Sequence, residues 1–183
     1  VKRIGLTLGL RLGSFNHYAP RPLELSPIGS SSQPLVDGPT ISIVTPSYNQ
    51  AAYLEATLRS VLDQGYPNLE YFVQDGGSTD GSADILRRYG PRLRGWVSEK
   101  DARQADAINR GFAKTTGSIM AWLNSDDRLT PGSLHAVARC FQRFPEIDVV
   151  YGNRIIVDQS GREVGRWITP RHNAGRGSGR RAR

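Results

Sequence analysis

An α/β sandwich with a mostly parallel sheet is the fold class this sequence predicts, and two observations predict it. Short apolar runs alternate with helical stretches in the order β-α-β-α-β-α-β-α-β-β, as expected of a sheet covered by helices. Polar segments also stand where the apolar runs end. They are Pro46-Ser47-Tyr48-Asn49, the run from Asp75 to Ser82, and Asn124-Ser125-Asp126-Asp127, with Gln104 to Asn109 opening a helical stretch. In a parallel sheet the carboxyl ends of the strands open onto one edge, where ligands sit. Groups far apart in sequence then converge on one crevice, so the chain reads as an enzyme.

The elements follow in order. Residues 1–39, rich in Pro, Ser and Gly over 14–39, read as an extended lead-in, and the ordered body begins near Pro39. Ile41, Ile43 and Val44 place β-branched residues on both faces of a first strand, as a strand covered on two sides requires. A helix starts at Asn49 or Gln50, with Leu54, Leu58, Val61 and Leu62 on one stripe, and ends at Gly65 and Pro67. Tyr71–Val73 is the second strand. Asp80 or Ser82 caps the next helix, whose Ile85, Leu86 and Tyr89 face inward. Leu93–Val97 is a weak third strand, and 102–115 a helix facing inward through Ile108 and Phe112. Ile119–Leu123 is a strand, and Pro131 opens a helix running to about Phe144. Asp148–Tyr151 and Arg154–Val157 read as strands joined through Gly152-Asn153. The folded domain is therefore expected over 40–170. The Arg- and Gly-rich residues 171–183 cannot bury anything and are expected to be disordered.

Composition narrows the function. The formal charge of +7 belongs to the ends: residues 1–39 net +2, residues 171–183 net +5, and the body nets zero. A nucleic-acid-binding domain should carry its basic excess on the folded body, so no stable nucleic-acid partner is expected. The basic ends could make weak contact with a membrane surface. The single cysteine, Cys140, excludes an internal disulfide. No apolar run approaches the roughly 20 residues that span a bilayer, so the default location is cytoplasmic, peripheral at most to the inner membrane face.

The polar segments suit a ligand carrying a diphosphate and a nucleoside. A diphosphate needs a divalent cation, and Mg²⁺ or Mn²⁺ is typically held by one or two carboxylates while phosphates fill other positions. Asp126 and Asp127 supply adjacent carboxylates, with Asn124 just before them; equally, they could only begin a turn toward the next helix. Asp75 precedes glycines that let a ligand approach the backbone, and could accept the N3–H of uracil or simply build a turn. Tyr48 could stack on a base, while Pro46 and Asn49 could merely shape the turn. Asp106 and Asn109 share a helical face that either supports the crevice or is solvated. The spacing is 26 residues from Asn49 to Asp75 and 52 from Asp75 to Asp127, which fits whole strand–helix–strand units of roughly 30 residues.

Taken together and in order, these four segments resemble the family 2 glycosyltransferases of GT-A fold, over about residues 40 to 158. The resemblance implies a nucleotide-sugar donor of the UDP-sugar kind, a Mn²⁺ or Mg²⁺ ion, and a saccharide or lipid-linked acceptor of the bacterial surface-polysaccharide or glycolipid kind. It implies an inverting transfer. By that analogy Tyr48 lines the base pocket with Pro46, Asn49, Gly76 and Asp106 nearby, and Asp75 binds uracil. Asn124, Asp126 and Asp127 stand where the metal-binding Asp-x-Asp segment lies, with the metal on Asp126 or Asp127. Two departures stand out. Arg103 occupies a position where similar sequences often have glycine, and the acceptor-binding half that carries the general base in similar sequences is expected to be lacking, with the basic end in its place. Asp158 and Glu163 are the only acidic residues left after Asp148 to serve as base, and neither sits in a base motif. The chain is thus expected to be either a transferase or a donor-binding half without turnover, and less readily a basic nucleic-acid binder.

Overall fold

The computed structural model describes residues 13–26, 35 and 37–169. Its centre is β2, Ile41–Ser47, every residue of which is buried. Neighbours on both edges and helices on both faces explain why this strand reads as continuously apolar rather than alternating. It pairs in parallel with β3, Leu69–Asp75, on one side and with β5, Ile119–Trp122, on the other; β4, Gly95–Ser98, pairs in parallel with the far edge of β3. The order β4-β3-β2-β5 reverses direction between β2 and β5, and this reversal decides where the helices go. Right-handed crossovers carry α1, Ala51–Leu62, and α2, Ser82–Tyr89, over one face, while α3, Gln104–Phe112, running back toward β5, crosses the other.

The two faces are packed differently. On the first, Leu54, Leu58 and Val61 of α1, Ile85 and Leu86 of α2, and Leu134 and Ala138 of α4 (Ser133–Arg143) meet Ile41, Ile43, Tyr71 and Val73 in one core. On the second, α3 lies almost on the sheet. A Cβ on Gly111 would stand 2.4 Å from Val44 Cγ1, so only glycine lets the helix approach this closely. Ala107 and Gly111 are the buried face of α3, whereas Ile108 and Phe112, expected to be the anchors, are half-buried. Small residues, not large ones, seat this helix.

A second compact unit combines the described residues up to Glu24 with those from Tyr151 onward, and the first unit is Leu25–Val150. The second unit is an antiparallel sheet in the order β1-β7-β6, formed by Ser14–Arg21, Glu163–Ile168 and Arg154–Val157. This differs from the sequence reading at three points. Ser14–Arg21 is a paired strand rather than part of an extended lead-in. Asp148–Tyr151 forms no strand. The turn beside β6 is Asp158–Arg162, which joins it to β7, not Gly152-Asn153. The division also falls at Glu24 and Tyr151 rather than bounding one domain at 40–170. The expectations for residues 1–12 and 171–183 lie outside the described residues.

One acidic side chain ties the lower edge of the parallel sheet to the turn before β5. Glu70 accepts hydrogen bonds from Ser42 Oγ (2.7 Å), Thr116 N (2.7 Å), Thr116 Oγ1 (2.9 Å) and Gly117 N (3.0 Å). The backbone N–H of Thr116, followed by the Ser42 hydroxyl, holds its carboxyl down at about 2, from an ordinary 4.5. A carboxyl whose folded value is depressed stabilises the fold fully above its unfolded value and loses that contribution as pH falls toward the folded one. Glu70→Gln should therefore flatten the acid loss of stability between about pH 4.5 and 2. Glu70→Ala should cost about 1.5–3 kcal/mol at neutral pH. Denaturant midpoints measured across that pH range check both.

Candidate functional site

The parallel register brings Ser47, Asp75 and Ser98 into one row at the carboxyl edge of the sheet. Asp75 is fully buried, and a buried carboxyl group needs donors. It finds them on both sides: Oδ1 accepts from Ser78 Oγ (2.5 Å), and Oδ2 from Ser78 N (2.9 Å) and Ser98 Oγ (2.6 Å). Gly76 N donates to Ser47 O and Glu99 N to Asp75 O, extending the ladder just past the strand ends. The carboxyl group expected to read a base is thus occupied in clamping the loops after β3 and β4.

The rest of the 75–82 run is wired into the start of α1. Asn49, in the left-handed region at φ 51°, accepts Thr79 N on Oδ1 at 2.9 Å, and its own N–H donates to Ser78 Oγ at 2.8 Å. Asp80 accepts Ala51 N at 2.8 Å and the Ser82 N–H and hydroxyl at 3.0 and 2.6 Å. It therefore satisfies a first-turn N–H of α1, and the Ser82 hydroxyl holds its carboxyl below the usual range. Asp106 accepts Ala102 N at 3.0 Å and the Arg110 guanidinium at 2.9 Å. It shapes the entry to α3, and the Ala102 N–H holds its carboxyl low.

Above this edge, where the strand order reverses, lies a cleft of about 690 Å³ lined by Pro46, Ser47, Tyr48, Gln50, Gly76, Gly77, Lys100, Asp101, Arg103, Gln104, Ala107, Asn124, Ser125 and Asp126. Its size suits a small ligand, and its place is the one this topology favours. Of the expected binding residues, Pro46, Tyr48, Gly76, Asn124 and Asp126 line it. Asn49, Asp75, Asp106 and Asp127 are not among its lining residues, and each is engaged in hydrogen bonds of the neighbouring loops. Tyr48 leaves 63% of its surface open, which gives the cleft an unobstructed aromatic face. Ser47 Oγ is buried with no hydrogen-bond partner among the described residues. Asn124 bridges two elements, accepting from Gln104 Nε2 at 2.8 Å and donating to Asp127 Oδ2 at 3.2 Å. That bond turns Asp127 toward Asn124 and leaves Asp126 to face the cleft.

Asp158 and Glu163 belong to the other unit and hold their own surroundings together. Asp158 accepts Ser160 N, Ser160 Oγ and Arg162 N within its turn, and the Ser160 hydroxyl in particular lowers its pKa. Glu163, buried in β7, accepts from Tyr18 and is paired with Arg21 at 2.9 Å and Arg166 at 2.6 Å. The Arg166 guanidinium, then the Tyr18 hydroxyl, hold it at about 2.

The sequence reading overlooked Lys100 and Asp101, which line the cleft from the loop after β4; Arg103, singled out there only as a departure from glycine, lines it as well. The available signal was the charged run Glu99-Lys100-Asp101 behind a strand too short to stand out. Arg103 has φ 116° and ψ 175°, a conformation open to glycine and costly for any side chain. No group of three or more His, Cys, Asp or Glu side chains able to hold a metal occurs among the described residues. Nor, among them, is any helix long and apolar enough to cross a membrane.

Comparison with known proteins agrees with this architecture. The model of "Glycosyl transferase family 2" matches residues 42–181. An uncharacterized glycosyltransferase of Nostoc sp. is 33% identical over 129 residues, 66% of this chain and 40% of that protein. The putative teichuronic acid biosynthesis glycosyltransferase TuaG of Bacillus subtilis is 40% identical over 93 residues, 49% of this chain and 37% of that one. This chain thus spans about two fifths of the length of either relative. Among solved structures, Staphylococcus aureus TarS in complex with UDP-GlcNAc superposes with a TM-score of 0.54 at 18% identity, over 64% of this chain and 40% of that one. The mannosyltransferase PcManGT from Pyrobaculum calidifontis, in complex with GDP-Man and Mn²⁺, gives 0.53 at 25% identity, over 75% and 39%. With the GT-A arrangement of sheet and helices beneath it and a family model matched from β2 onward, this chain belongs to glycosyl transferase family 2.

Proposed function

We propose that the cleft binds a nucleotide-diphospho-sugar with a divalent cation, and that the protein transfers the sugar to a hydroxyl of a saccharide or lipid-linked acceptor with inversion. The observation that carries this reading is the convergence of an open aromatic ring, two cations that make no ion pair among the described residues and an outward carboxylate on one cleft at the carboxyl edge of the sheet. Tyr48 offers its ring to the base. Lys100 and Arg103 set positive charge beside the start of α3, whose first N–H groups also favour phosphate. Asp126 supplies the carboxylate for Mn²⁺ or Mg²⁺. The donor set fits an ion that arrives with its nucleotide, since such ions need only one or two protein carboxylates when phosphates complete the shell. Once bound, the ion would stabilise charge developing on the departing diphosphate.

The names of the relatives favour a surface polysaccharide or glycolipid as acceptor: one is named a putative teichuronic acid biosynthesis glycosyltransferase and another, from Mycobacterium bovis, a PGL/p-HBAD biosynthesis glycosyltransferase. The base that activates the acceptor hydroxyl is best served by a pKa near the working pH. Glu163 at about 2 and Asp158, held low by the Ser160 hydroxyl, are poorly matched to that work, and neither takes the role in this reading.

Two experiments test it. In calorimetry, UDP or GDP should bind more tightly with Mn²⁺ than without, and Asp126→Ala should remove the gain due to the metal. Ligand at 100 times its Kd should stabilise the protein by about 2.7 kcal/mol and raise Tm by several degrees; failure of every nucleoside diphosphate to bind would overturn the donor-site reading. In the second, Arg103→Gly should relieve about 1–2 kcal/mol of backbone strain and raise the ligand-free Tm. It should also weaken diphosphate binding about tenfold by removing a cation. A lower Tm would show that Arg103 is held by contacts stronger than its strain.

A further inference from the structure

We infer that Asp101, from the loop after β4, is the residue that reads the base, and that it selects bases presenting a ring N–H at their pairing edge: uracil, thymine or guanine, not cytosine or adenine. The inference rests on the nucleotide-site reading above and adds to it the identity of the reader.

Asp75 is excluded by its surroundings, since both of its oxygens are taken by Ser78 and Ser98 and it has no exposed surface. Asp101 differs in each respect. Its Oδ1 accepts Arg103 N at 3.0 Å, which holds the carboxylate in one orientation, while Oδ2 makes no hydrogen bond among the described residues. That oxygen lies over Gly76: a Cβ built there would come within 2.9 Å of it and within 3.3 Å of Asp101 Cγ. The same Cβ would stand 3.3 Å from Tyr48 Cδ2. The free oxygen and the edge of the open aromatic ring therefore flank one point on the cleft floor. Gly76, unlike Gly77 at φ +81°, has no left-handed backbone that would call for glycine. Space for Asp101 and Tyr48 is what the position requires.

A base lying on the Tyr48 ring would present its pairing edge to this oxygen. An ionised carboxylate can only accept. Uracil N3–H, and N1–H with the amino group of guanine, donate to it; cytosine N3 and adenine N1 carry lone pairs that oppose it. Sites built to meet one hydrogen-bonding edge reject the analogue that lacks it, because the polar group is left unpaired.

The test is calorimetric titration of the protein with UDP, CDP, GDP and ADP in the presence of Mn²⁺. The unmodified protein should bind UDP at least about tenfold more tightly than CDP, or GDP at least about tenfold more tightly than ADP. Asp101→Asn keeps an oxygen for Arg103 N and turns an amide donor toward the base. It should weaken the preferred nucleotide about tenfold and strengthen CDP or ADP, narrowing the ratio. Gly76→Ala should narrow the same ratio by displacing the Asp101 side chain, with little change in Tm, because the displaced atoms are the end of a flexible side chain. An unchanged ratio in Asp101→Asn, equal weakening of all four nucleotides, or no discrimination by the unmodified protein would overturn the inference while leaving the nucleotide site standing. Binding of none of the four by the unmodified protein would instead remove the site itself.

Discussion

The hydrogen bonds of Asp75 are the constraint on which the site depends. A carboxyl group at the end of a central strand, shut off from water, must be met by donors or it costs several kcal/mol. Here one donor pair comes from its own loop, through Ser78, and a third donor from the neighbouring strand, through Ser98. Loops after β3 and β4 are thereby locked to each other at the point where the cleft floor begins. Gly76 is pinned a further time by Ser47 O. The narrow space above it, into which Asp101 leans, exists because these bonds leave the backbone little freedom to shift.

The same economy explains why a run so rich in acidic and hydroxyl side chains leaves few of them for a ligand. Asp80, Ser78 and Ser82 serve the N-terminal ends of α1 and α2, which otherwise carry N–H groups without partners. Asn49 adopts a left-handed backbone that asparagine tolerates better than most residues. Groups with chemistry to spare lie instead on the loops that follow β4 and β5, in Lys100, Asp101, Arg103 and Asp126. Support comes from one strand end and reactivity from its neighbours.

Much of the parallel unit was legible because its signals are local. β-branched residues in Ile41–Val44, the Leu54–Leu58–Val61 stripe and the Pro and Gly stops each act within a turn or a strand length. The antiparallel unit was not legible in the same way. Ser14–Arg21 has no clear alternation, and its partner Glu163–Ile168 lies more than a hundred residues away. Pairing across that distance leaves no mark in a short window of sequence. Helix α3 shows a related limit: large apolar residues suggested Ile108 and Phe112 as anchors, yet contact with the sheet is made by Ala107 and Gly111. A short interaxial distance selects small side chains, and periodicity weighted by size points away from them.

The sequence by itself determined the class of fold, the order of strands and helices in the central unit, and the four segments from which a cleft would be built. Those follow from side-chain chemistry and spacing, which act along the chain. Only the tertiary structure decided which carboxylates face inward and which outward. Asp75 and Asp101 are the same residue type in the sequence, and their separation into a buried clamp and an open acceptor comes from the register of β3 against β4 and from the missing side chain at Gly76. Hydrogen-bond partners drawn from other strands set that difference, and no local rule of sequence contains them.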